Sequence, residues 1–245
     1  MSWAIKQAVK RNVPESIRRL VRSFKNRQYN KLSSEQVFTK VYESRAWGDS
    51  GDPSRPFFSG SGSHRIEETS TYVQSISEFL STFDSKPDVA DLGCGDFFVG
   101  SRIREHCNQY TACDVVPSLI EFNRNQFKEL AVDFRALDLT RDELPRADVA
   151  FVRQVLQHLS NDQIKSFVRR APLAYKYLVV TEHVPSKRLF KPNADKPAGP
   201  GTRMGYESGV VLTAPPFNLL PKYERQLCRV DSVDTGCLET TLYVL

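Results

Sequence analysis

The stretch Val89-Ala90-Asp91-Leu92-Gly93-Cys94-Gly95-Asp96 constrains this chain more than any other. Its first four residues read as a buried strand, which breaks into a glycine turn bracketed by the carboxylates of Asp91 and Asp96. Gly93 and Gly95 allow a backbone with φ > 0 and let a ligand approach with no Cβ in the way. The residues from Phe97 to Cys107 have the composition of a helix, so the turn is expected between strand and helix. In open α/β sheets that carboxyl end of a strand is where nucleotide-like ligands bind. A dinucleotide fingerprint needs a third glycine where Phe98 stands, which argues against a pyrophosphate site. An acidic strand-glycine turn suits instead a nucleoside that carries positive charge and no phosphate.

Two more acidic positions follow at informative distances. Tyr110 to Val115 reads as the next strand, and Asp114 near its end lies 114 − 91 = 23 positions after Asp91. Nucleoside-binding α/β folds place a ribose-binding carboxylate about 20 residues on, because two oxygens can accept both ribose hydroxyls. Val132 to Leu139 reads as a third strand with Asp138 near its end, positioned to accept from an exocyclic adenine amine. A single aspartate of this kind is ordinarily a solvated strand end. Three at successive strand ends describe a grip on a nucleoside.

The rest of the chain alternates in the same way. A helix is expected over Ser34 to Tyr42 and another over Ile66 to Phe83, where apolar residues recur at helical spacing. Residues 117–130 start a helix at Pro117, and Ser160-Asn161-Asp162-Gln163 has the pattern of a capping box. Asp148 to Val152 and Tyr177 to Glu182 supply the fourth and fifth strands. Two last strands, 225–233 and 237–245, are joined by Asp234-Thr235-Gly236 as a tight hairpin. Repeated β–α units followed by a terminal hairpin imply a mostly parallel sheet with one antiparallel strand.

Composition bounds the rest. At 245 residues, 40% apolar and 26% charged, the chain is a globular protein of one domain with appendages. Its five cysteines form no CxxC pair and no metal-like cluster with the four histidines, so no metal is expected. An odd count without framework spacing fits a reducing compartment, and no apolar run is long enough for a spanning helix or a secretory leader, so the expected location is cytoplasmic. The net charge of +5 is an average over unlike parts. Residues 1–31 hold nine Lys or Arg against the single acid Glu15, a net of +8, which leaves −3 for the remainder. The segment 1–32 is read as a basic amphipathic tail. It either lies on an anionic membrane surface, as peripheral contact, or docks on the domain with its charged face in water. Its basic residues are not interleaved with aromatics, which speaks against nucleic-acid binding.

Asp91-Leu92-Gly93-Cys94-Gly95, Asp114, Asp138 and Val155-Leu156-Gln157-His158-Leu159 together resemble the motif series of class I S-adenosylmethionine-dependent methyltransferases. The resemblance covers roughly residues 60–245. It implies a Rossmann-like α/β fold, a seven-stranded sheet of order 3-2-1-4-5-7-6 with a terminal antiparallel hairpin, and S-adenosylmethionine as cofactor. Tyr42 through Trp47-Gly48, Ser59-Gly60-Ser61-Gly62-Ser63 and Ala214 to Pro221 are similar to a subgroup of bacterial methyltransferases linked to glycolipid and oligosaccharide decoration. Within that subgroup the chain resembles rhizobial nodulation methyltransferases associated with 2-O-methylation of the fucose on Nod factors. The likeness departs at Val210-Val211-Leu212-Thr213, where an Arg-x-x-Asn-Leu sequence is expected.

From this follow the candidate site residues. The cofactor shell is expected to comprise Asp91, Gly93, Cys94, Gly95, Asp114, Val115, Asp138, Leu139 and Arg153, together with Trp47 and Ser61 from a lid-like loop at 47–63. A sugar hydroxyl is a poor nucleophile, and a base in reach adds about 100-fold to 10,000-fold. His158 after the fourth strand, and Glu182 and His183 at the end of the fifth, are the catalytic candidates. The domain is taken as 33–245, with an acceptor insertion at 185–225 in which Arg203, Tyr206 and Phe217 offer a stacking face and hydrogen bonds for a sugar ring. The expected function is O-methylation of a sugar hydroxyl on an oligosaccharide or glycolipid, with a lipo-chitooligosaccharide as the specific form. The alternatives are a methyltransferase for a protein or small-metabolite acceptor, and an inactive cofactor-binding scaffold.

Overall fold

Capping residues decide where the first and last long helices begin. Ser33 Oγ accepts from the Gln36 amide at 3.2 Å while Gln36 Oε1 accepts from the Ser33 N–H at 3.0 Å, which starts α1 (Ser34–Glu43). Helix α2 spans Ile66–Leu80, and α3 (Pro117–Gln126) carries Pro117 at its first turn, where the missing N–H costs nothing. Helix α4 (Asn161–Ala174) repeats the capping box with Ser160 and Gln163. The computed structural model describes residues 27–29, 31–187, 189–233 and 236–245. Most of the basic segment 1–32 therefore lies outside the described residues, as do Asp234 and Thr235 of the hairpin turn.

Seven strands form one sheet in the order β3-β2-β1-β4-β5-β7-β6. They are β1 (Val89–Leu92), β2 (Tyr110–Asp114), β3 (Asp133–Ala136), β4 (Val149–Arg153), β5 (Tyr177–Val184), β6 (Tyr223–Asp231) and β7 (Cys237–Val244). The first five run parallel, with Val89 opposite both Tyr110 and Val149. Strand β7 runs antiparallel to β5 and β6, with Tyr177 opposite Val244. All four residues of β1 are buried, as a central parallel strand covered on both faces requires. One face packs Val37, Val41, Leu119, Phe167 and Leu178, and the other packs Tyr72, Ile76, Phe97, Ile120 and Phe134. Burying each such side chain is worth about 1.5–3 kcal/mol. The order and the hairpin are those expected from the resemblance.

Three local expectations need correction. Residues 97–107 are not one helix but two 3-10 turns, Gly100–Arg102 and Arg104–His106. Phe97 adopts a left-handed φ of 59° and buries its ring among Tyr110, Phe127 and Phe134, with centroids 5.0–5.5 Å away. A Cβ on Gly100 would lie 2.4 Å from that ring, so the packed phenyl occupies the space of a regular helical turn. Strand β3 ends at Ala136, which places Asp138 in the turn beyond it. The insertion ends at residue 222, where β6 takes over. Among the described residues no helix is long and apolar enough to cross a membrane.

Candidate cofactor and acceptor site

The glycine turn sits at the carboxyl end of β1, where Gly93 and Gly95 have φ of +84° and +56°. Both Gly93 and Cys94 N–H donate to the Cys113 carbonyl, at 2.7 and 2.9 Å, which folds the turn against β2. A Cβ on Gly93 would fall 2.3 Å from Val155 Cγ2, and one on Gly95 2.5 Å from Ser59 Oγ. Real side chains cannot fit there. From below, Asn123 of α3 donates to the Gly95 carbonyl at 2.7 Å and fixes the bend.

Two buried carboxylates face this turn. Asp114 accepts from Gly95 N and Val116 N, each at 3.1 Å, through different oxygens. Burial pushes its pKa up to about 6 against the pull of those N–H bonds. Asp91 accepts from the Tyr110 hydroxyl at 3.0 Å. Burial pushes it up to about 7, with the Asp114 charge adding and Arg153 opposing. Two desolvated acids with accepting capacity left over are a place where a cationic ligand with ribose hydroxyls is stabilised. Asp138 is held by the Thr140 N–H and hydroxyl, at 2.9 and 2.6 Å, on one oxygen.

The turn opens into a cavity of about 420 Å³, in the range of small-molecule sites. Asp91, Gly93, Cys94, Gly95, Asp114, Val115, Asp138, Leu139, Arg153, Trp47 and Ser61 all line it. The glycine cradle and the paired acids fit S-adenosylmethionine, a cationic nucleoside. The burial of Cys94 raises its thiol well above the ordinary value, which matches a steric role in the turn.

The loop 47–63 folds over this cavity and is fastened to the turn. Ser59 N donates to Asp96 Oδ2 at 2.9 Å, and Ser59 Oγ accepts from Asp96 N at 2.8 Å. The Tyr42 hydroxyl bonds the same Oγ at 2.9 Å, and His64 Nε2 reaches Asp96 Oδ2 at 2.6 Å. On the other wall Trp47 Nε1 donates to the Pro200 carbonyl at 3.1 Å and its ring lies 5.0 Å from His158. Arg153 ties down the end of the loop through Gly62 O at 3.0 Å and Ser63 Oγ at 3.2 Å.

The catalytic candidates divide. His158 and His183 line the cavity. His158 Nε2 lies 3.3 Å from the Gln157 amide nitrogen. Burial, with Lys196 and Arg203 nearby, pushes its pKa down to about 3, so its imidazole is neutral and weakly basic. Glu182 is not in the cavity. Its carboxylate is buried and accepts from Leu156 N at 2.8 Å and Gln157 N at 2.9 Å, bracing the turn after β4. Burial pushes it up to about 8. Its expected catalytic contact is therefore corrected to a positioning role.

None of the three expected acceptor contacts lines the cavity. Arg203 is wholly buried and donates to Ala194 O, Leu156 O, Leu159 O and Asn161 Oδ1 at 2.9–3.0 Å. It clamps the insertion to the turn that carries His158. Phe217 packs into the core with Leu212 and Leu219, and Tyr206 sits half-buried on a 3-10 turn outside the cleft. Large polar and aromatic side chains in a long insertion are spent on making it fold.

Several site residues went unforeseen. Asp96, Ser59 and Tyr42 form the lid clasp, and Asn123 braces the turn. Glu68, Gln154 and Gln157 line the cavity. Asp96 directly follows the glycines, and Tyr42, Ser59 and Gln157 lie inside motifs that gave no hint of these contacts. Glu68, Asn123 and Gln154 come from α2, α3 and the end of β4 and meet the site only through the fold.

Comparison with known proteins agrees with this geometry. Residues 90–174 match the methyltransferase domain family. The chain is similar to malonyl-[acyl-carrier protein] O-methyltransferase of Acetivibrio thermocellus, 34% identical over 62 residues, which span 24% of this chain and 22% of that relative. The chain thus matches about a fifth of the length of this curated relative. Among solved structures it resembles the N-methyltransferase NodS of Bradyrhizobium japonicum WM9 with S-adenosyl-l-homocysteine. The TM-score is 0.56 at 16% identity, over 84% of this chain and 97% of that one. Human N-acetylserotonin methyltransferase with S-adenosylmethionine follows at TM-score 0.53 and 17% identity, over 87% of this chain and 60% of that one. At these identities the likeness establishes the fold.

Proposed function

We propose, from the premise that this chain is by fold and domain a class I S-adenosylmethionine-dependent methyltransferase, that it methylates a sugar hydroxyl on an oligosaccharide or glycolipid. The subgroup motifs favour, as the specific form, 2-O-methylation of fucose on a lipo-chitooligosaccharide. The observation that carries the reading is one continuous cavity. Its cofactor end holds Asp91, Asp114 and Asp138, and its other end is walled by the amides of Gln154 and Gln157, the imidazoles of His158 and His183, and the hydroxyls of Thr202 and Ser232. Amides and hydroxyls both donate and accept hydrogen bonds, as the hydroxyls of a sugar do.

The cofactor, when bound, supplies an electrophilic methyl group on a sulfonium. The chain's own residues do the rest by placement, which is the main requirement of an in-line displacement. Asp114 offers the second lone pair of each oxygen to ribose hydroxyls, and Asp91 presents negative charge to the cationic end. The clasp of Ser59 on Asp96 and the Trp47 bond to Pro200 hold the lid over the cavity. His158, neutral and oriented by Gln157, serves to hold the acceptor; with a pKa of about 3 it is a poor resting place for its proton. His183 is the other imidazole in reach of the cleft.

A second reading has a specific observation behind it. NodS is named an N-methyltransferase, and an amine is the acceptor it would suggest here. Labelled methyl transfer separates the two. We expect calorimetric binding of S-adenosylhomocysteine, and label from the methyl donor on fucosylated chitooligosaccharide in a linkage that mass spectrometry places on oxygen. Label on nitrogen replaces the first reading with the second. Absence of binding removes both.

A further inference from the structure

We infer that Glu68 and Gln154 form a two-pronged polar subsite that binds neighbouring hydroxyls of the acceptor sugar ring, an assignment that rests on the acceptor reading above. Glu68 lies on the first turn of α2 and is only 2% exposed. Three donors converge on one of its oxygens. Arg65 Nη1 lies 3.1 Å from Oε1, Val233 N 3.2 Å and Ser232 Oγ 3.4 Å. Among the described residues no donor is assigned to Oε2. A buried carboxylate satisfied on one oxygen alone leaves strong accepting capacity facing the cavity that it lines.

Gln154 stands opposite. Its backbone is held at φ of +57°, a left-handed conformation that is costly for a non-glycine residue and that concentrates at functional sites. Its N–H donates to Thr181 O, which fixes the conformation at the end of β4. Among the described residues its side-chain amide makes no hydrogen bond, yet it lines the cavity. The two groups flank one spot. A Cβ on Gly62 would lie 3.3 Å from both amide atoms of Gln154 and 3.4 Å from Glu68 Oε2. The absence of a side chain at Gly62 keeps that slot clear.

The chemistry selects the ligand class. A carboxylate oxygen only accepts, whereas an amide both donates and accepts, and adjacent ring hydroxyls each do both. One hydroxyl donates to Glu68 Oε2 and its neighbour pairs with the Gln154 amide. Glu68, Gln154 and Gly62 come from α2, the end of β4 and the lid, so the lid as folded forms one side of the subsite.

The test uses the full chain loaded with S-adenosylhomocysteine and L-fucose as the probe, read by saturation-transfer difference NMR. Wild type is expected to show transfer to the sugar. Gln154→Gly, which removes the amide without backbone strain, and Glu68→Gln should each weaken the sugar by about tenfold or more, while product affinity stays within about threefold. Gly62→Val, which fills the slot, should abolish the sugar signal and guards against misfolding of the Glu68 variant. Sugar binding unchanged in Gln154→Gly and Gly62→Val overturns the placement alone. So does a loss of product affinity above about tenfold in Glu68→Gln, which would make Glu68 a cofactor group. No sugar signal with wild type overturns the placement, and together with label on an amine acceptor it overturns the acceptor reading as well.

Discussion

The two ends of the cavity are built on different plans. Its cofactor end comes from consecutive strand tips of β1, β2 and β3, each bringing a carboxylate from its own short segment. The end we assign to the acceptor is held by the insertion of residues 185–222, which contributes Pro200 and Thr202 to the cavity and many groups to its own support. Arg203 alone makes four hydrogen bonds to the insertion, the turn after β4 and the start of α4. Asn193 likewise bonds Val211 O, Pro215 O and Val211 N at 2.8–2.9 Å. A sheet edge comes with its backbone already paired, so its side chains are free to bind. A long loop must satisfy its own backbone first, and its polar side chains are used up in doing so.

The largest expected effect attacks that support. Arg203→Met should destabilise the protein by about 3–5 kcal/mol, because it removes a buried cation and orphans three carbonyls and Asn161 Oδ1. Urea unfolding measures it. A loss under about 1 kcal/mol would mean the insertion holds itself and the contrast between the two ends is overdrawn.

A smaller effect sharpens the cofactor side. Asp114→Ala should weaken S-adenosylhomocysteine by about 1–3 kcal/mol in calorimetry, through lost charge-assisted hydrogen bonds. Unchanged affinity would place the ribose elsewhere. The pH dependence follows from the same acids. Asp91 and Asp114, at about 7 and about 6, lie above their ordinary 3.8 in the folded protein. Their contribution to the stability of the ligand-free fold is therefore full below about pH 4 and is lost as pH rises through 6 and 7. Binding of the cationic methyl donor needs the ionised forms, so its affinity should climb over that same interval. Asp91→Asn should flatten both profiles; thermal melts and binding curves parallel to wild type between pH 5 and about pH 8 would refute the assignment.

The smallest effect concerns the clasp between the two ends. Ser59→Ala removes the bonds to Tyr42 and Asp96 N and should loosen residues 57–64 by about 1 kcal/mol, seen as faster amide exchange there with global stability nearly unchanged. Exchange no faster than wild type would show that the His64–Asp96 contact and Trp47 hold the loop without it.

Legibility follows the same division. Asp91, Gly93, Gly95, Asp114 and Asp138 were readable because a strand, a tight turn and a spacing near 20 residues are local signals. The helix expected over 97–107 was not, because the burial of Phe97 against Tyr110, Phe127 and Phe134 overrides local propensity. The types and positions of Glu182, Arg203 and Phe217 suggest site groups, and burial turns them to bracing.

The order of hydrophobic runs, glycines and caps marked the strands, the terminal hairpin and the glycine turn, since each is a signal within one strand-turn unit, whereas pairings such as Val89 with Val149 and Tyr177 with Val244 join distant segments. The tertiary structure decided which of the remaining polar residues face the cavity. Glu68, Gln154 and Gly62 are 154 − 62 = 92 positions apart at their extremes. Only packing the lid, α2 and β4 together removes water from them and leaves their unused hydrogen-bonding capacity pointing at one spot.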